Sequence, residues 1–165
     1  MLMTIAHQCM EVQILNEIKC HHNTNYIEDF NISCVENRIS CEMQTKEKIP
    51  AGVKFHIDLE RGLSSSGAFN TFFKYDIDFC RVIGSNRNNL FKRWILSLDK
   101  YGQMPSRCPW PVGRYYLKDW QLNGDLIPPF VVPGYYKSKV MSYLGSIGTK
   151  SFDLLLDCEV ISKLI

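Results

Sequence analysis

Seven cysteines and four histidines are the residues of this 165-residue chain with the most chemistry to offer. Cys20-His21-His22 sets soft and borderline metal ligands side by side. Adjacent residues of a strand point to opposite faces, however, and no second Cys/His group follows at ligand spacing, so no metal site and no cofactor is expected. His56 with Asp58, and Asp76 with Asp78, are pairs that could move protons. Both lie on the polar side of alternating apolar and polar segments, where carboxylates are ordinarily solvated. No serine or cysteine stands in a nucleophile motif such as G-x-S-x-G. No catalytic residue is assigned, and the chain is read as a non-enzyme.

The cysteines, Cys9, Cys20, Cys34, Cys41, Cys80, Cys108 and Cys158, form no C-x-x-C knuckle of the kind that holds structural zinc. They read as disulfides, which persist in oxidising compartments, and the expected location is secreted and extracellular. The odd count leaves a thiol over, and Cys9 is the candidate because it follows the apolar start MLMTIA. Residues 1–10 read as the remnant of a signal peptide or an altered start, and 11–165 as a single domain. Asn31-Ile32-Ser33 is a glycosylation acceptor sequence, at Asn31. A net charge of +2 gives no basic footprint for nucleic acid. No run of about 18–20 apolar residues is present, so no stable membrane insertion is expected.

These residues must be positioned by strands. Val53 to Glu60 alternates strictly, with Val53, Phe55, Ile57 and Leu59 on one face and Lys54, His56, Asp58 and Glu60 on the other. After the turn-forming run Gly62 to Gly67, Thr71 to Phe79 repeats the pattern with Phe73, Tyr75, Ile77 and Phe79 inward, which predicts an antiparallel hairpin. Weaker alternation marks Val12–Cys20, Phe30–Val35, Ile39–Met43, Tyr115–Leu122, Tyr135–Leu144 and Phe152–Val160. The prolines of Gly124 to Gly134 make that stretch a loop. Over 88–101 the apolar residues Leu90, Phe91, Trp94, Ile95, Leu98 and Tyr101 recur at helical spacing, with Asn88 or Asn89 as cap and Gly102 as stop. This predicts one short amphipathic helix in a mainly β sandwich. A Cys80 to Cys108 disulfide would pin both ends of the helix to the sheet.

The order of these elements carries Glu17-Ile18-Lys19-Cys20, Cys34 with Asn37-Arg38, and Tyr75-Asp76-Ile77-Asp78-Phe79-Cys80. Then come the helix, Ser106-Arg107-Cys108-Pro109-Trp110-Pro111 and Val132-Pro133-Gly134-Tyr135-Tyr136. From about Val12 to Val160 the chain resembles an insect-specific secreted family of unknown function, of the DUF1091 type, related to the ML lipid-recognition sandwiches and the CheB chemosensory proteins. The resemblance implies an immunoglobulin-like, ML-type β-sandwich whose sheets part to admit an apolar ligand. It further implies a cysteine frame matching Cys20, Cys34, Cys80 and Cys108. Cys41 and Cys158 go beyond that frame and are available for a third bridge, with the connectivity left open.

The function expected is therefore a binding protein that carries or presents a lipid or other apolar molecule, in chemosensation by analogy, with a membrane receptor as a further partner. Inward Phe55, Ile57, Phe73, Tyr75, Ile77, Val140 and Leu156 would line the interior, with Phe91 and Trp94 capping one end. The alternative is an extracellular protein-interaction module with a closed core, whose anchors would be aromatics around Trp110, Trp120 and Tyr135.

Overall fold

In a computed structural model, which describes residues 10–122 and 124–165, the chain folds as two antiparallel sheets. Cys9 and the stretch before it lie outside the described residues. The strands are β1 (Val12–Ile14), β2 (Lys19–His22), β3 (Ile27–Val35), β4 (Arg38–Thr45), β5 (Lys54–Gly62), β6 (Phe69–Asp78), β7 (Gly102–Gln103), β8 (Arg114–Trp120), β9 (Gly134–Leu144) and β10 (Asp153–Leu164). One sheet runs β1-β10-β9-β5-β6, with β2 continuing beside β10 where β1 leaves off. The other runs β3-β4-β8-β7. The predicted hairpin of Val53–Glu60 and Thr71–Phe79 is present as β5 and β6, with Ile57 opposite Tyr75 and Phe55 opposite Ile77.

Two bulges break the strict alternation. In β6 the register steps from Leu59↔Phe73 to Glu60↔Thr71, so Phe72 is the extra residue. A bulge lets two consecutive side chains reach one side, and Phe72 duly packs into the core beside Leu59. In β10 the step falls between Leu154 and Leu156. Leu155, outward by simple parity, is thereby buried, and Leu154 falls opposite Tyr143 on the outer face.

The helix predicted over 88–101 spans Leu90–Asp99, with the Asn89 side chain accepting the Lys92 N–H. A second helix precedes it. Phe79–Gly84 forms α1, capped by Asp78, whose carboxylate accepts the Arg81 N–H; Leu90–Asp99 is therefore α2. The expectation of one helix, with Cys80 closing a strand, is corrected by this cap. An aspartate whose side chain satisfies a free N–H ends the strand and starts a helical turn, a local effect that apolar alternation through Phe79 conceals. The Cys80–Cys108 disulfide joins α1 to the segment before β8.

The core is divided. At one end Ile49, Val53, Phe79, Trp110 and Leu155 are buried together, with Phe55 and Met43 against them. At the other end Ile127, Val131, Tyr136 and Leu164 are buried, with Leu59 and Phe72 against them. Each fully buried side chain of this size stabilises the fold by about 1.5–3 kcal/mol. Between the two clusters runs a row across the first sheet: Cys20, Cys158, Val140, Ile57 and Tyr75, each opposite the next.

Candidate ligand-binding site

The middle row is the candidate site. It shares its face with Phe55 and Leu59, which pack into the two clusters, so it looks toward the second sheet. Val140 sits on β9, a strand flanked on both sides, where an inward aliphatic side chain is ordinarily buried. It is 38% exposed, and Tyr75 beside it is 46% exposed. Solvent therefore reaches the face between the clusters. The local cause is side-chain size: the inward residues that flank Val140 along β9 are Ser138 and Ser142, too small to fill the space opposite them.

Aromatic rings wall one flank of this face. Phe130 packs on Phe73 at 5.2 Å, Phe73 stacks on Tyr75 at 6.0 Å, Tyr75 stacks on Phe91 of α2 at 4.6 Å, and Phe91 meets Trp94 edge-on at 5.4 Å. Such contacts favour a fixed ring geometry beyond the area they bury. Helix α2 is held there by two indoles: Trp94 Nε1 donates to the Leu126 carbonyl at 2.6 Å, and Trp120 Nε1 to Ser97 Oγ at 3.1 Å.

The opposite flank is a cleft of about 710 Å³ between the edge strands of the two sheets. Its apolar lining comes from Ile14, Leu15 and Ile18 on one side and Ile32 and Cys34 on the other. The gap exists because the edge strand is interrupted. The Asn16 side chain, rather than a backbone carbonyl, accepts the Ile161 N–H, and the chain leaves the ladder until Lys19. Across the cleft the Ile14 N–H donates to Asn37 Oδ1 at 2.9 Å, tying β1 to the tip of the β3–β4 hairpin. That tip, Glu36-Asn37, has positive φ at both residues, as a two-residue type I′ turn demands.

Of the nine predicted lining residues, Ile57, Phe73, Tyr75, Val140, Phe91 and Trp94 fall on or beside this face. Phe55 is instead part of the first core cluster, 5.7 Å from the Phe79 ring, and Ile77 is only 7% exposed. Leu156 shares the row of Phe55 and Ser142 and is half-buried. Ser138, Ser142, Phe130 and the three isoleucines of the cleft were not among the predicted residues. An alternating Ser-x-Val-x-Ser in a strand read as inward-facing is a signal of missing volume that could have found the first two.

The cysteines pair differently from the frame the resemblance implies. Cys158 bonds to Cys20, its direct register partner on the neighbouring strand, at a Cα separation of 4.1 Å. Cys34 and Cys41 are free thiols. The two are not opposite one another, since Cys34 faces Ile39 and Cys41 faces Ile32. Burial pushes both thiols above their ordinary range, which disfavours the reactive thiolate. Trp110, an anchor of the alternative interaction surface, is a core residue at 5% exposure. Asn31 is exposed on the edge strand β3.

The match to known proteins covers the same framework. Residues 53–138 match DUF1091, described as a protein of unknown function. The chain belongs to the DUF1091 family. The matched span runs from Val53 through the β5–β6 hairpin, both helices, the Cys80–Cys108 disulfide, β8 and the first half of β9. The cleft residues and the Cys20–Cys158 bridge lie outside that DUF1091 span. No curated protein matches the chain. Among the described residues, no helix is long and apolar enough to cross a membrane.

On the outer face of the first sheet, His56 Nδ1 lies 3.0 Å from Asp76 Oδ1, which also accepts the Tyr143 hydroxyl at 2.7 Å. Burial first, then the hydrogen bond to Asp76, pushes the Tyr143 phenol from 10.0 up to about 12. A phenol whose folded value is raised stabilises the fold fully below its unfolded value and loses that contribution as pH rises through the folded one. Stability is therefore expected to fall between about pH 10 and about pH 12. Tyr143→Phe should flatten that limb, as measured by urea unfolding at a series of alkaline pH values; an unchanged limb would assign the alkaline loss elsewhere.

Proposed function

We propose that this DUF1091 protein is a secreted, non-enzymatic carrier that holds an apolar molecule between its two sheets, in an immunoglobulin-like sandwich of the ML type. The observation that carries this reading is the exposure of Val140 on the inward face of a central strand, flanked by Ser138 and Ser142 and bounded by an aromatic wall. A preformed face lined by apolar and aromatic side chains, beside a cleft within the usual size range of ligand pockets, suits a small hydrophobic ligand. Burying about 300 Å² of ligand surface at about 25 cal/mol per Å² gives roughly 7 kcal/mol before ordering costs, enough for micromolar binding.

Two disulfides support an oxidising, extracellular setting. The resemblance to an insect-specific secreted family, and through it to the ML sandwiches and CheB chemosensory proteins, extends the reading to the presentation of an apolar signal to a receptor. The outer-face His56–Asp76 hydrogen bond and Lys74–Asp58 ion pair are ordinary cross-strand contacts on this reading, since among the described residues no serine or cysteine nucleophile accompanies them.

Mass spectrometry of organic extracts from the purified native protein, together with titration of a neutral fluorescent naphthylamine probe, tests the proposal. A co-purifying apolar species and saturable one-to-one probe binding are expected. A protein that extracts clean and leaves the probe dark would favour the interaction-module reading.

A further inference from the structure

We propose that the end of the sandwich formed by the β5–β6 turn and the loop 128–133 docks reversibly on an anionic lipid surface. Register brings these pieces together. Gly62, the last residue of β5, lies opposite Phe69 at the start of β6 and opposite Tyr135 at the start of β9, directly after the loop. Arg61 ties loop to turn, its guanidinium donating to the Pro133 carbonyl at 3.3 Å. From this end project Leu63, Phe130 and Val132, at 99%, 51% and 41% exposure, with exposed Pro129 and Pro133 beside them. An exposed apolar side chain standing singly needs no explanation, whereas several gathered on one end mark a surface that meets something apolar.

Cations surround the apolar tip. Arg61 is exposed, Lys137 Nζ lies 4.9 Å from the centre of the Phe69 ring, and Lys163 Nζ lies 5.3 Å from that of Tyr135. Glu60, the acid next to Arg61, is engaged by Lys139 at 3.1 Å, and the loop 128–133 has no charged residue. The exposed acids nearby are Glu11, ahead of β1, and Asp125, ahead of the loop. Apolar side chains that enter the acyl boundary, rings at the headgroup level and lysines beside the phosphates hold a peripheral protein on a membrane without crossing it. A protein partner would need a fixed pocket for each anchor, but Leu63 stands alone on a turn continued by Ser64-Ser65-Ser66 and offers no shape to fit. A fluid interface needs none. Phe130 also packs on Phe73 of the aromatic wall at 5.2 Å, so the docked end adjoins the candidate ligand face. Docking goes beyond the carrier reading and does not require a ligand to be carried.

The test is co-sedimentation of the full chain with vesicles of phosphatidylcholine, alone or with about 30% phosphatidylserine. At low ionic strength the wild type should bind the anionic vesicles at least about fivefold more tightly than the neutral ones, and added salt should shrink that difference. Leu63→Asp, at a side chain with no packing to lose, should weaken binding to the anionic vesicles at least about tenfold. Lys137→Gln with Lys163→Gln should remove the preference for phosphatidylserine and leave binding to neutral vesicles unchanged. Ile147→Asp, at a 50% exposed residue on the β9–β10 turn at the other end of the sandwich, should bind as the wild type does. Circular dichroism checks that each variant is folded. A wild type that stays in solution with anionic vesicles, equal binding to both vesicles, undiminished binding by Leu63→Asp, or an equal loss in Ile147→Asp would each overturn the docking proposal. The carrier reading would stand in every one of those cases, because titration of the naphthylamine probe without vesicles reads the interior face alone. A protein that sediments as expected and leaves that probe dark would retain the docking and lose the carrier.

Discussion

Replacing Cys20 and Cys158 together by serine is expected to cost about 3–5 kcal/mol of stability, the larger of the two disulfide effects in this protein. The bridge spans 138 residues of chain, for which the loop-entropy model gives about 5 kcal/mol, against about 3.6 kcal/mol for the 28 residues between Cys80 and Cys108. What the longer bridge holds is also weaker without it. β2 is a four-residue edge strand, and its ladder to β10 is separated from that of β1 by the excursion through Asn16 and Glu17. Urea unfolding of the wild type and of the two double-serine variants measures both losses, and non-reducing peptide mapping fixes the connectivity. Retention of wild-type stability by both variants would show that the bridges are incidental, and a Cys20–Cys34 peptide would contradict the pairing described above.

Val140→Trp is expected to lower the affinity for the naphthylamine probe by at least about tenfold while leaving the fold intact. The indole would occupy the space over Ser138 and Ser142 that the proposed ligand takes. Because Val140 is already 38% exposed, the larger ring meets solvent-accessible volume rather than packed neighbours, and a stability change within about 1 kcal/mol is expected. The same substitution at Ile77, which is 7% exposed, would overpack the interior and cost about 1–3 kcal/mol, confusing lost binding with lost structure. Circular dichroism and urea unfolding on Val140→Trp separate the two effects. Undiminished probe binding by the folded variant would move the ligand away from the middle row.

The half of the protein that is legible in its sequence is the half governed by local rules. Period-two alternation placed β5 and β6 and paired them correctly because one face must be dry along the whole length of the hairpin. The spacing of Leu90, Phe91, Trp94 and Ile95, with Asn89 ready to cap, placed α2 to within two residues at each end. Cys80 and Cys108, on either side of that helix, are bonded. Each of these follows from contacts a chain makes within a few dozen residues.

What alternation misreads is instructive in the same terms. Phe72 and Leu155 sit in bulges, and a bulge depends on how two strands from different parts of the chain take up each other's register. The Asp78 cap ends β6 early, a competition between a side chain and a ladder that hydrophobic pattern does not weigh.

The sequence by itself determined that this chain is mainly β, that β5 and β6 pair with one dry face, that a capped amphipathic helix follows them, and that Cys80 and Cys108 flank it. Only the tertiary structure decided the rest. Strand parity says which side chains face inward but not what stands across from them, so Phe55 and Val140 look alike in the sequence although one packs against a core cluster and the other is 38% exposed. Cys158 could choose among partners by sequence and has one by register, because β10 lies beside β2 only after the whole chain has folded between them. The cleft likewise joins residues from the first strands of two different sheets, beside hydrogen bonds from the Ile14 and Ile161 N–H groups to the Asn37 and Asn16 side chains that no local rule brings together. The interior face and the cleft are products of long-range pairing, where each contact depends on loop closures that local propensity does not encode.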